Sequence, residues 1–213
     1  MGLFSTLLGK TKPVQSNLDA LFALPSASIT LQSAAGMSCS GHAGVCFKPP
    51  SGQGFEQMQA EVVSLLSMDG TGGLRQQEDS YGYQWLVVED TDIEQLVTRI
   101  HLVNSSLSDS GWGPQLLCSV FGLAHLAAPA LGAGSDPAPD ALPELTAGPG
   151  HLLTSTAFLV YLFKRGTFYP FVPQGHERRD TEEELKLKSL VADDLTVETD
   201  LDRWFPLWDL PVG

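Results

Sequence analysis

The sequence predicts an α+β fold of two layers, a mixed, mostly antiparallel sheet with helices packed on one face. Segments of helical period interleave with segments of strand period along the chain. The strands between Ala127 and Phe171 adjoin without a helical crossover, so part of the sheet must be antiparallel. With 213 residues, 43% of them hydrophobic, the chain can bury an ordinary core, and residues 1–213 read as a single domain. No internal period suggests a solenoid or array.

Residues 1–15 read as an N-terminal arm or short helix. Leu3, Phe4, Leu7 and Leu8 recur at helical spacing and Lys10 and Lys12 follow, a small amphipathic pattern that fits packing on the body of the protein. Its other use is membrane contact, at most peripheral, through Leu3 to Lys12. Met1, Gly2 and Thr6 match the myristoylation pattern formally. The Gly9, Lys10, Thr11 triplet resembles the end of a phosphate loop, but Phe4 stands where the earlier glycine is required and no strand precedes it, which argues against nucleotide binding.

Ser16 and Asp19 mark the start of a short helix carrying Leu18, Leu21 and Phe22, closed by Pro25. Ile29 and Leu31 alternate with Thr30 and Gln32, the pattern of a half-buried strand. Val45 to Phe47 is a second short strand, reached through a turn at Gly41 to Gly44. Phe55, Met58, Val62, Leu65 and Leu66 share one face of a helix that fades at Asp69 and Gly70. Tyr83 to Val88 is a strand rich in aromatic and β-branched side chains.

Thr91 and Glu94 form a capping box for the next helix, whose buried face is Ile93, Leu96, Val97, Ile100, Val103 and Leu107 and whose end is set by Gly111 and Pro114. Leu116 to Leu126 reads as a long buried strand. Residues 128–150 are a Pro-, Gly- and Ala-rich insertion, expected to be a disordered loop because five prolines forbid regular structure. Strands resume at Leu152 and lead into Val160 to Phe171, VYLFKRGTFYPF, a β-hairpin with Lys164, Arg165 and Gly166 at its tip and a returning arm stopped by Pro170 and Pro173. A last helix, Thr181 to Val191, has Glu182 to Lys186 and Glu184 to Lys188 pairs on its surface and Leu187, Leu190 and Val191 inward. Residues 196–213 form a Trp-containing tail.

Composition narrows the function classes. A net charge of −13 and a pI near 4.6 argue against nucleic-acid binding, which needs clustered Lys and Arg. The same balance disfavours broad attachment to anionic lipid. No apolar run approaches the roughly 20 residues that span a bilayer, and the first residues lack the features of an export signal. A cytoplasmic location is expected, with a partner able to bring the protein to the inner face of the membrane. Three cysteines without framework spacing fit a reducing compartment.

The search for catalytic chemistry finds little. Cys39, His42 and Cys46 are close in sequence but lack a fourth ligand for a metal. Cys118 needs a base and an electropositive setting to act as a nucleophile. The serines lack a nucleophile elbow. Asp90 with Asp92, Asp193 with Asp194, and Asp200 with Asp202 suit helix caps and solvated turns. No catalytic residue, cofactor, metal or small-molecule substrate is expected. The alternative is an enzyme or small-ligand binder using Cys118 or the Cys39, His42, Cys46 cluster.

The hairpin tip is unusual. No Lys or Arg occurs between Arg99 and Lys164, so two cations at an exposed turn of an acidic chain either keep an edge soluble or mark a contact surface. Aromatic density around Trp85, around Trp112 and in the DRWFPLW tail serves cohesion or recognition. Trp85 reads as core, and Trp204, Phe205 and Trp208 read as a clasp or as anchors.

Taken together, LLGKTKPVQSNLDALFALPSA, DSYGYQWLVV, LVTRIHLVNSSLSDSGWGPQLLCSVFGL, VYLFKRGTFYPFVPQGHERRD and DRWFPLW resemble the bacterial PspA-associated protein family PspAB. These blocks cover most of the chain outside residues 128–150, where the Pro-rich segment departs from a compact strand-to-strand connection. The resemblance implies a non-enzymatic accessory protein of the phage-shock envelope-stress response, associated with the membrane-remodelling protein PspA, whose long charged helices favour docking by complementary charge. It implies no catalytic residues. The expected partner is a PspA-type protein or another component of that system, and the expected contact region is Lys164, Arg165, Tyr169, Trp204 and Trp208.

Overall fold

The computed structural model describes residues 16–48, 57, 60, 62–64, 73–126 and 155–212. The expected N-terminal arm and the expected insertion at 128–150 lie outside these residues, as does most of the helix expected from Phe55 to Leu66. Of that helix, residues 57, 60 and 62–64 are helical, and Val62 is buried in the main core.

Among the described residues, six strands form one sheet: β1 (Met37–Phe47), β2 (Leu74–Glu78), β3 (Gln84–Glu89), β4 (Leu116–His125), β5 (Ala157–Leu162) and β6 (Thr167–Phe171). Their order is β2-β3-β1-β4-β5-β6, and every neighbouring pair is antiparallel. The helices α1 (Leu24–Ala35), α2 (Ile93–Leu107) and α3 (Thr181–Val191) pack on one face. This is the predicted α+β architecture, and the sheet, expected to be mostly antiparallel, is antiparallel at every described pair.

Strand alternation sorts the core into two clusters, because successive side chains point to opposite faces. Val45, Phe47, Leu86, Val88, Phe121, Leu123, Leu159 and Tyr161 face the helices. Cys46, Trp85, Val87, Cys118, Val120, Val160, Tyr169 and Phe171 face the other way and are covered by Trp204 and Val212 of the tail. The sheet is therefore enclosed by helices on one side and by irregular C-terminal chain on the other.

Several local expectations are corrected. Ile29 and Leu31 lie in α1, not in a strand. Pro25 opens that helix in its first turn, where a missing N–H costs nothing, and Gly36 closes it in the left-handed conformation with φ 61°. The residues before Pro25 do form the short helix expected, as a 3₁₀ segment, Leu18–Ala23. The expected turn at Gly41 to Gly44 is the middle of the 11-residue β1, with a register shift between Cys39 and Ala43. β2, LRQQE, was not foreseen.

The cap of α2 is Asp92, which accepts from the Glu94 amide at 2.8 Å, one residue beyond the Thr91 expected. On α3, Lys186 pairs with Glu183 rather than Glu182, and Glu184 is buried instead of facing Lys188. Pro170 sits inside β6 opposite Leu159 and does not stop it. The amide and carbonyl of Phe168 point outward to Thr196 and Glu198, so residue 170 also points outward and its missing N–H breaks no bond to β5.

Candidate functional site

The hairpin tip is built as the sequence suggests. The amides of Arg165 and Gly166 donate to the Leu162 carbonyl at 3.1 and 2.9 Å, and Gly166 takes φ 68°, a conformation that favours glycine. Its two cations differ in role. Lys164 is exposed and makes no ion pair among the described residues. Arg165 pairs with the carboxylate of Glu198, whose remaining bonds come from Thr167 Oγ1 at 3.0 Å and the Asp200 amide at 3.1 Å.

That pairing starts the tail along the free edge of β6. Phe168 and Val197 form a parallel bridge, and the chain then crosses the second face of the sheet. Tyr169 Oη donates to the Phe205 carbonyl at 2.8 Å and its ring stacks on Trp204 with centroids 5.8 Å apart. Trp204 Nε1 donates to the Glu198 carbonyl at 3.1 Å, while Arg179 Nη1 donates to the Trp204 carbonyl at 2.7 Å. Trp208 meets Phe171 edge-on at 5.4 Å. The five residues expected to form a contact region thus gather at one end of the sheet. Tyr169 and Trp204 are core members, Trp208 is half-buried and Lys164 is exposed.

Beneath this end of the tail lies a cavity of about 600 Å³. Cys46, Cys118 and Trp85 form its floor on the sheet, and Phe205, Leu207 and Trp208 cover it from the tail. Lys164, Arg165 and Arg203 stand at its mouth, with Tyr81 and Phe205, each 57% exposed. The polar groups deep in the wall are already satisfied. Asp79 accepts from the amides of Tyr81 and Tyr83 and from Trp85 Nε1, all at 2.9 Å. Tyr169 Oη is spent on the tail, and its phenol is pushed well up by burial.

Cys46 and Cys118 are direct partners across β1 and β4 and remain free thiols. Their mutual hydrogen bond, burial and the neighbouring Asp79 charge all raise the Cys46 pKa, so this thiol stays protonated and uncharged. No histidine lines the cavity among the described residues, and the carboxylate beside the thiols, Asp79, is engaged by two amides and by Trp85 Nε1. Cys39 instead packs toward the helix-side core, where burial pushes it to about 11. Cys39 and Cys46 therefore lie on opposite faces of β1, and Cys39, His42 and Cys46 do not converge. No group of three or more His, Cys, Asp or Glu is placed to hold a metal among the described residues.

At least one member of each acid pair acts as a cap or brace. Asp92 and Asp200 accept from amides at helix starts, and Asp194 accepts from Ser26 and Thr30 of α1 at 2.7 and 2.6 Å. Trp85 is core, as expected, and Trp112 is half-buried against the helix-side cluster. Sequence reasoning missed Tyr81, Asp79 and Arg203 as parts of this site. The Asp79 to Gly82 turn before the YQWLVV run was the available signal, since Asp is suited to accept bonds from amides two residues on. Among the described residues, no helix is long and apolar enough to cross a membrane.

A family model described as PspAB, PspA associated protein B, matches residues 1–212. No curated protein and no solved structure matches the chain.

Proposed function

The chain belongs to the PspA associated protein B family, and on that premise we propose that it is a non-enzymatic accessory protein of a PspA-type envelope-stress response, acting by protein–protein interaction. Its contact surface is the mouth of the cavity. The observation that carries this reading is the grouping of exposed Lys164 with exposed Tyr81 and Phe205 at one end of a chain whose net charge is −13. Exposed aromatics beside a cation suit a partner helix that carries an apolar side chain flanked by carboxylates. Tyr169, Trp204, Trp208 and Arg165 serve that surface by holding the tail that builds it.

Co-purification of PspA with the wild type, Lys164→Glu and a Tyr81→Ala, Phe205→Ala double variant tests the proposal. Lys164→Glu leaves every described hydrogen bond intact, so an unchanged thermal midpoint with reduced recovery of PspA is the expected outcome. Full recovery with both variants overturns this surface as the contact.

A further inference from the structure

We propose that the cavity beneath the tail is a binding site for a single-chain amphiphile, with an alkyl or aromatic body seated between sheet and tail and an anionic head at Lys164. The cavity, about 600 Å³, falls within the range of small-molecule sites. Its lining is mostly apolar, and Asp79, Trp85 Nε1 and Tyr169 Oη each already hold hydrogen bonds within the protein. A polar ligand body would lose its hydration there without compensation, whereas an apolar one gains by entering.

In the floor of the cavity, the Cys46 thiol is held protonated and uncharged. Among the described lining residues, the cations stand at the mouth. There Arg165 is matched by Glu198 and Arg203 by Asp200, and Lys164 is left without a counter-charge among the described residues. One unmatched cation above an apolar cavity selects a ligand with one negative head. Asp79, the acidic residue of the lining, is already held by three donors of the protein, the amides of Tyr81 and Tyr83 and Trp85 Nε1.

This inference goes beyond the docking reading and is tested without any partner protein. The purified full chain is titrated with sodium laurate below its micellar concentration, and binding is read by equilibrium dialysis and by the fluorescence of Trp85 and Trp208, both in the cavity lining. One-to-one saturable binding is expected. Dodecanol, equal in chain and uncharged, is expected to bind about 2- to 5-fold more weakly, the worth of one exposed charge. Leu117→Trp and Cys118→Phe fill the cavity and are expected to weaken laurate at least about tenfold.

A readout on the unmodified protein covers the case in which those variants fail to fold. Laurate is expected to slow labelling of Cys118 by a small thiol reagent and to leave Cys39, on the opposite face of the sheet, unchanged. Absence of saturable binding, binding that survives both filled variants, or Cys118 labelling indifferent to laurate overturns the site. Equal affinity for laurate and dodecanol overturns the role of Lys164. PspA recovery is measured with no amphiphile added, so either proposal can fail alone.

Discussion

Arg165, at the tip of the β5–β6 hairpin, forms an ion pair with Glu198, a residue 33 positions later whose side chain is 2% exposed. The pair turns a surface loop into the anchor of the C-terminal chain. Thr167 Oγ1 and the Asp200 amide complete the carboxylate's bonds, so the tail leaves β6 in a defined direction and reaches the second face of the sheet.

Removing Arg165 leaves a buried carboxylate without its cation. Arg165→Ala is expected to destabilise the protein by about 1–3 kcal/mol, below the full cost of breaking an enclosed pair because the arginine side chain is 41% exposed. Lys164→Ala, one residue away, is expected to change stability by no more than about 0.5 kcal/mol. Urea midpoints of the two variants measure the contrast, and equal midpoints would contradict it.

Acid stability follows from two carboxylates. Burial alone raises the Glu198 pKa, but bonds from Arg165, the Asp200 amide and Thr167 outweigh it and hold the group below its ordinary 4.5. Asp194 is held below 3.8 by Thr30 and Ser26 against a smaller effect of burial. A folded pKa below the unfolded one gives stability that is present above the unfolded value and is lost as pH falls through the folded value. Stability is therefore expected to fall below about pH 4, and the gap between wild type and Glu198→Gln to narrow as pH drops. Thermal midpoints at a series of pH values test the sign; a gap that widens in acid refutes it.

Arg179 and Glu184 join three parts of the fold. The buried Glu184 carboxylate accepts from Arg179 Nε at 2.8 and 2.9 Å and from the Val172 amide at 2.9 Å, while Arg179 also holds the Trp204 carbonyl. Glu184→Ala strands Arg179 and the Val172 amide together, with an expected loss of about 3–5 kcal/mol. Arg179→Ala is expected to lose stability and, in addition, near-ultraviolet circular dichroism from Trp204. An intact tryptophan signal in that variant would show that the tail is held without it.

Gly44 sets how closely the end of the chain can approach the sheet. A Cβ at this position would lie 2.9 Å from Val212 Cγ2 and 3.2 Å from Trp85 Cε3. Gly44→Ala is expected to displace the Val212 end of the tail and cost about 1–3 kcal/mol, with faster proteolysis of the last residues. Unaltered proteolysis would mean that the tail accommodates the methyl group.

Segments whose burial pattern is complete within themselves were legible in the sequence: β3, the buried face of α2, β4, the hairpin around Lys164 to Gly166, and Trp85 in the core. Periodicity reports which face of a segment is apolar, and a glycine at a turn reports a backbone constraint; both are local. The polar β2 and the glycine-rich middle of β1 carry no such pattern, because they are strands through hydrogen bonds to β3 and β4. The alternation at Ile29 and Leu31 belonged to a helix whose limits were set by Pro25 and Gly36. Only the tertiary structure decided that Arg165 is an anchor, that Tyr169 and Trp204 are interior, and that Cys46 and Cys118 share a cavity floor, since each depends on which distant segment covers an apolar face. Local sequence specifies that such a face must be covered; long-range packing selects the cover and leaves the space beneath it.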